Sequence, residues 1–547
     1  MNMKKYTIGI DFGTLSGRAV LLNANNGRVL AASVCEYPHA VMDRALPDGT
    51  PLAPQFALQH PADYLEVLKQ TVPTVLSASG VSPDEIAGIG IDFTSCTLLP
   101  IREDGTPLCF EEKYQSEPHA YVKLWKHHAS QPEADRITAL AKERGEAWIN
   151  AYGGRLSSEW ALPKIYETLC HAPAVYEDAA RFCEAGDWLS LLLTGKETHA
   201  AAFAGFKFNW DADRGYPSDE FFRAIDPRLG GIVGTKLSAK VDLVDGTAGT
   251  LSERGAKLTG LRVGTPVALP MLDAEAAMPA LGITETGVLM AIFGTSGVQI
   301  VHDKEKKDIA GVCGYVSDGV IPGLCTYEAG QSGLGDCFDW FVKNCVPEKY
   351  AVEARESGVN LHKFLREKAK KLRVGESGLL VLDWLNGNRS VLQDADLSGL
   401  ILGLHIGTRP EEIYRALIEG TAFGMRRILD AFLAGGIAIN EIRAAGGIAK
   451  KDDMMMQIYA DVCRREIRVM DTDQAGALGS AIYAAVAGGI YPSVVEAAER
   501  LAVRDAKVYT PNPESSAAYD ALYEEYVRLY DYFGRGENDV MKRLRRL

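Results

Sequence analysis

Two carboxylates and two glycine turns carry the first chemical signal. Asp11 closes an alternating apolar run that starts at Tyr6, Gly13-Thr14 follow at once, and apolar residues resume at Ala19. This pattern predicts a β-hairpin with a carboxylate at the end of its first strand. Gly13 lets the backbone approach a ligand, and consecutive N–H groups in such a turn form a cradle for phosphate oxygens. Asp11 would repel a bare phosphate, so the pairing makes chemical sense with Mg²⁺ between them. An ordinary hairpin with a turn aspartate would read the same locally, but the pattern recurs. In residues 288–301 Phe293-Gly294-Thr295 repeats Phe12-Gly13-Thr14, with Gly294 lying 281 positions after Gly13. Ile292 stands where the first copy has Asp11. The metal is therefore expected at the first loop, and backbone groups alone at the second.

The second carboxylate is Asp273, between the apolar stretch 264–272 and the small residues Ala274 to Ala277. A strand followed by an aspartate and a small-residue helix makes Asp273 an N-cap. It also places a carboxylate at the seam between the repeated halves, where a general base must reach a hydroxyl opposite the phosphate loops.

Two strand–Gly-Thr–strand units, one per half, predict two related α/β domains facing across a cleft, residues 1–282 and 283–547, sharing one nucleotide. In the first half a third strand is expected at 28–36, a helix at 61–77 and a buried strand at 86–92 that ends in Thr94-Ser95-Cys96-Thr97. Polar residues after a strand's carboxyl end either terminate it or meet a ligand. Residues 206–210 alternate aromatic and polar, so a strand would project Lys207 and Asn209 to one side. Lys207 is then either an exposed strand lysine or a cation facing the cleft. Trp125 beside Lys126 suits a sugar or a core, and His127-His128 reads as a solvated helix end.

In the second half, residues 324–327 read as a strand leading into a glycine-rich passage, 327–335, and then a helix at 336–343. Thr408 to Glu411 reads as a capping box opening a long helix. Gly446-Gly447, between a strand at 441–445 and a helix starting near Asp452, would let a flat purine lie against the backbone. The aromatic stripe after Pro513 reads as packing.

Composition narrows the class. The chain has 547 residues, 47% hydrophobic and 24% charged, with a net charge of −14, which suits a globular protein of two or more large domains. That charge argues against nucleic acid or anionic membrane as partner. Ten cysteines at irregular spacing, with no Cys-x-x-Cys, suit reduced thiols. Met1 to Lys5 run directly into the first strand and no apolar run reaches spanning length, so a cytoplasmic location is expected.

Taken together, the Asp11 hairpin, Leu162-Pro163-Lys164-Ile165, Asp273, Gly294-Thr295-Ser296, Glu328 to Ser332 and Gly446-Gly447 resemble the FGGY family of carbohydrate kinases over nearly the whole chain. That family shares the two-domain fold of actin, hexokinase and the 70-kilodalton heat-shock ATPases. Leu124 to His128, Ser158-Glu159-Trp160, Ala204 to Lys207 and Leu382 to Gly387 resemble most the family members that phosphorylate a ketopentose in L-arabinose breakdown.

The resemblance implies ATP and Mg²⁺ as cofactors and a small sugar as substrate, with a homodimer as the candidate assembly. It implies Asp273 as catalytic base and metal neighbour, and Asp11 as metal ligand. Gly13, Thr14, Arg18, Gly294 and Thr295 would lie at the phosphates, Gly335, Phe338, Gly446 and Gly447 at the adenosine, and Cys96, Trp125, Lys207 and Glu328 at the sugar. Two positions depart from the family pattern: Asp452 replaces the usual Asn, and Ala274-Glu275 replaces a Cys-His pair. A protein kinase is not expected, because Asp11-Phe12-Gly13 would need an upstream catalytic loop that the ten residues before it do not supply. A chaperone-type or filament ATPase, which needs no sugar, and a kinase for xylulose or a pentitol remain as alternatives.

Overall fold

The computed structural model describes residues 5–244 and 246–546. Its first sheet begins with β1 (Tyr6–Phe12), β2 (Ser16–Asn23) and β3 (Val29–Glu36), an antiparallel meander. Helix α1 (Pro61–Ser79) then crosses to β4 (Ile86–Phe93), which pairs parallel with β1. Beyond β4 lie β5 (Pro266–Ala268) and β6 (Met271–Leu272), both parallel to it. The stretch 264–272 is thus two short strands, interrupted at Leu269-Pro270. Proline removes a ladder donor, and the break turns the chain toward α2 (Asp273–Ala280).

The second half repeats the plan. Strands β7 (Gly287–Phe293), β8 (Gly297–Asp303) and β9 (Cys325–Gln331) form a meander, and β7 pairs parallel with β10 (Ile439–Ala445), which pairs parallel with β11 (Ile467–Met470). The strand orders 3-2-1-4-5 and 9-8-7-10-11 match in direction as well as sequence. The resemblance between the halves therefore extends from the hairpins to five-strand units. The turns differ by one residue: Phe12 pairs with Gly17, but Phe293 pairs with Gly297.

A division at residue 282 separates the two sheets but not their cores. Helix α3 (Ala475–Ala487), late in the second half, lies on β1 and β4 of the first sheet. It sits so close that a Cβ on Gly90 would fall 2.1 Å from the Ser480 carbonyl oxygen. The same helix crosses α2 at Gly479, where a Cβ would fall 1.6 Å from the Ala276 carbonyl oxygen. Only glycine permits backbones to meet this closely.

Several local expectations change. Residues 206–210 are not a strand: Ala201–Lys207 is helical and Asn209 turns the chain with φ 62°. Its short run of small and aromatic residues is fully buried, and packing overrides alternation. The passage 327–335 is extended to Gln331, because β9 is hydrogen-bonded to β8 on one side and to Gly314–Ser317 on the other. The capping residue of the helix Pro410–Ala434 is Arg409, whose N–H donates to Glu412 at 2.6 Å, one residue beyond the expected Thr408. His127 is fully buried, with Nε2 2.9 Å from Glu167, and is no solvated helix end. The tyrosine stripe of Pro513–Gly534 packs as expected: Tyr519, Tyr523, Tyr526 and Tyr530 are all buried.

Candidate active site

The two glycine turns open on one cavity of about 510 Å³. Asp11, Thr14, Gly294, Thr295 and Ser296 lie on its wall, as do Asp273, Gly446 and Gly447. In each turn the first glycine N–H donates back across the hairpin, Gly13 to the Ser16 carbonyl at 3.0 Å and Gly294 to the Ser296 carbonyl at 3.1 Å. Trp125, on the same wall, donates its indole N–H to Thr14 Oγ1 at 3.3 Å, which links the expected sugar side to the first loop. Arg18, opposite Asp11 in the β1–β2 ladder, brings Nε to 3.4 Å from Asp11 Oδ2.

Asp11 has a neighbour that sequence reasoning missed. Asp92 is its register partner on β4 and is fully buried. Ser480 of α3 donates to Asp92 Oδ2 at 2.6 Å, while Asp92 Oδ1 has no hydrogen-bond partner among the described residues. A Cβ on Gly476 would lie 3.3 Å from an oxygen of each carboxylate. Burial holds both acids above the usual carboxylate range; Arg18 opposes this at Asp11, and the Asp11 charge adds to it at Asp92. Two adjoining carboxylates with one orphaned oxygen, and a single arginine beside them, fit a divalent cation, which prefers oxygen ligands. A strand-end aspartate in an apolar run was the available signal, but it reads first as a strand terminus.

Asp273 is the first residue of α2 and not its N-cap, since Leu272 holds that position. Its Oδ1 accepts the Ala274 N–H at 2.8 Å, leaving the other oxygen uncommitted. Burial, reinforced by the Asp11 charge, pushes its carboxyl up to about 7. Glu275, two residues on, also lines the cavity, and burial drives its carboxyl well above the ordinary value.

The far wall holds a charge network that the sequence revealed only in part. Glu328 on β9 accepts from Lys207 Nζ at 3.0 Å and from Arg389 at 2.7 Å, and Arg389 also reaches Glu159 at 3.0 Å. Lys207 is fully buried behind Glu328, with its amine 5.2 Å from the Trp160 ring centroid. Burial opposes its charge, but Glu328 outweighs burial and keeps the ammonium firmly protonated. Cys96 is buried in a left-handed backbone conformation, φ 53°, and its carbonyl accepts from Lys164 at 2.8 Å. Burial pushes the Cys96 thiol up to about 12, so it is no nucleophile at neutral pH.

The residues expected at the adenosine separate into two layers. Gly446, φ 107°, brings the chain against β7, where a Cβ would meet the Phe293 carbonyl oxygen at 2.3 Å. Gly335 fits beneath the second loop, with 2.8 Å between its would-be Cβ and the Gly294 carbonyl oxygen. Phe338 is buried in the core, 5.9 Å from the Tyr414 ring. Asp452 caps the helix Asp453–Cys463 by accepting the Met455 N–H at 3.0 Å, and it pairs with Arg366 at 3.2 Å.

Comparison with known proteins agrees with this architecture. Residues 6–279 match the N-terminal domain, and residues 289–488 the C-terminal domain, of the FGGY family of carbohydrate kinases. The chain belongs to that family. It is 48% identical to a ribulokinase of Geobacillus thermodenitrificans, covering 99% of this chain and 97% of the relative. It is 43% identical to a ribulokinase of Mycolicibacterium smegmatis, covering 99% and 96%. Among solved structures, xylulose kinase from Rhodospirillum rubrum superposes with a TM-score of 0.80 at 23% identity, covering 96% of this chain and 98% of that one. No described helix is long and apolar enough to cross a membrane.

Proposed function

We propose that the chain transfers the γ-phosphoryl group of ATP to a hydroxyl of L-ribulose, giving L-ribulose 5-phosphate in cytoplasmic L-arabinose catabolism. The observation that carries this reading is the single cavity in which Asp273 faces two glycine turns and the Glu328 network. Near-full-length likeness to ribulokinases supports the choice of sugar.

Asp273 accepts the proton of the attacking hydroxyl through its uncommitted oxygen. A carboxyl near 7 is ionised in a substantial fraction of molecules at neutral pH and is basic enough to take a proton in the transition state. Backbone groups of the two turns receive the phosphates, and Arg18 adds positive charge beside the first. Asp11 and Asp92 would hold Mg²⁺, which when bound neutralises charge on the transferring group. Gly446 and Gly447 offer flat backbone to the adenine, and Trp125 and Glu328 meet the sugar. Closure of the halves around the sugar excludes water and limits wasteful hydrolysis.

The test is ATP consumption, measured by a coupled assay against ketopentoses, pentitols and glycerol. Preference for L-ribulose is expected. Preference for xylulose or a pentitol would move the substrate within the family. Sugar-independent hydrolysis would favour an actin- or heat-shock-like ATPase.

A further inference from the structure

The cavity is lined by six acidic residues, and five of them have a protein partner. Asp11 faces Arg18, Glu159 faces Arg389, Asp273 accepts the Ala274 N–H, Glu328 holds Lys207 and Arg389, and Asp473 lies 2.9 Å from Lys450. Glu275 is the exception. It is 2% exposed, and its Oε1 is buried with no hydrogen-bond partner among the described residues. A buried carboxyl oxygen without a donor is costly, and such a group persists where a ligand supplies what the protein withholds.

Position makes the ligand a sugar and not a nucleotide. Glu275 is the third residue of α2, two residues beyond Asp273, and the charges that act most on its carboxyl are those of Glu328, Lys207 and Asp273. A phosphate would be repelled there, whereas a polyhydroxylated chain offers neutral donors. The neighbouring cavity residues on α2 are alanines, Ala274 and Ala277, which leave room beside the carboxyl and compete for nothing. The ordinary role of a glutamate in a helix's first turn is to face the exposed amides or solvent. This one is enclosed and lines the cavity.

We propose that Glu275 is a specificity-determining residue that accepts a hydrogen bond from a hydroxyl of the bound ketopentose, discriminating among sugars by the presence and configuration of that hydroxyl. The inference rests on the sugar-kinase reading of the cavity. It assigns Glu275 to binding, with Asp273 keeping the proton transfer.

The experiment compares the parent with Glu275→Ala and Glu275→Gln, using sugar affinity by calorimetry without ATP and steady-state kinetics on the four 2-ketopentoses. The parent's own turnover tests the ketopentose reading by itself, and the variants are compared on whichever sugar or polyol the parent phosphorylates best. Removing an acceptor for a sugar hydroxyl should lower kcat/KM for that substrate by about 10- to 150-fold in Glu275→Ala, with KM for ATP within about twofold. Glu275→Gln keeps the shape and a side-chain carbonyl that can still accept, so it should fold like the parent and keep most of the sugar affinity that Glu275→Ala loses. Sugar affinity and preference unchanged in Glu275→Ala would overturn the proposal, as would a loss in Glu275→Gln as large as that in Glu275→Ala, or equal losses of sugar and ATP affinity in either variant.

Discussion

Lys207 Nζ lies 3.0 Å from Glu328 Oε2, joining residues from the two halves of the chain at a fully buried point behind the cavity wall. Arg389 holds the other oxygen of Glu328 at 2.7 Å, so one carboxylate is oriented by two cations. Burial raises the cost of each charge, and the pairing repays it only while all three are present. On the proposed sugar-kinase reading, Lys207 would act on the sugar side largely by fixing Glu328.

Lys207→Ala is expected to raise KM for L-ribulose and lower kcat/KM by about 10- to 150-fold, while KM for ATP stays nearly unchanged. The variant should also melt earlier, because Glu328 keeps only Arg389. Steady-state kinetics with each substrate varied in turn, together with thermal unfolding, separate the two effects. A lower melting temperature with unchanged sugar kinetics would reduce Lys207 to a strut.

Asp273→Asn should preserve folding and nucleotide binding, since Asn keeps the shape and can still accept the Ala274 N–H. Turnover should fall by at least about 10²- to 10⁴-fold, the loss typical of a missing general base. Near-normal kcat in the purified variant would reassign Asp273 to a structural role at the start of its helix.

Asp11→Ala should weaken Mg²⁺ dependence and turnover far more than sugar binding. Mn²⁺ binding followed by spin resonance reads the metal directly, and calorimetry reads the sugar. Equal losses in both would mean that the hairpin had been disrupted generally.

Glu184 sets a pH signature on stability. Its Oε2 accepts the Thr97 N–H at 2.7 Å, but Oε1 has no partner among the described residues, and burial pushes the carboxyl up to about 8 from an ordinary 4.5. A folded-state pKa above the unfolded one means that folding takes up a proton between those values. The stability this confers is complete below about pH 4.5 and is lost as pH rises through about 8. Glu184→Gln can keep the Thr97 bond and removes the titration. Its advantage over the parent in chemical denaturation should therefore grow between about pH 5 and about pH 9, by on the order of 1 kcal/mol or more. Parallel pH profiles for parent and variant would assign the dependence to other groups.

Local chemistry in the sequence was enough to find the frame of this protein. Alternation broken at Gly13 and Gly294 marked both hairpins, and the recurrence of Phe-Gly-Thr marked the duplication, because strand period and turn residues act within a few positions. Asp11 and Asp273 were legible for the same reason: each stands at a boundary where an apolar run ends. What depended on distant approach was not legible. Asp92 gained meaning only when β4 lay beside β1 and Ser480 arrived from 388 positions away. Lys207 lost its strand because burial of the whole segment outweighed its alternating pattern. The cavity's unpartnered acid, Glu275, emerged only once every neighbouring cation was seen to be committed elsewhere. Periodicity specifies which elements form, whereas the close contacts of Gly90 and Gly479 with backbone from the other half decide which side chains meet.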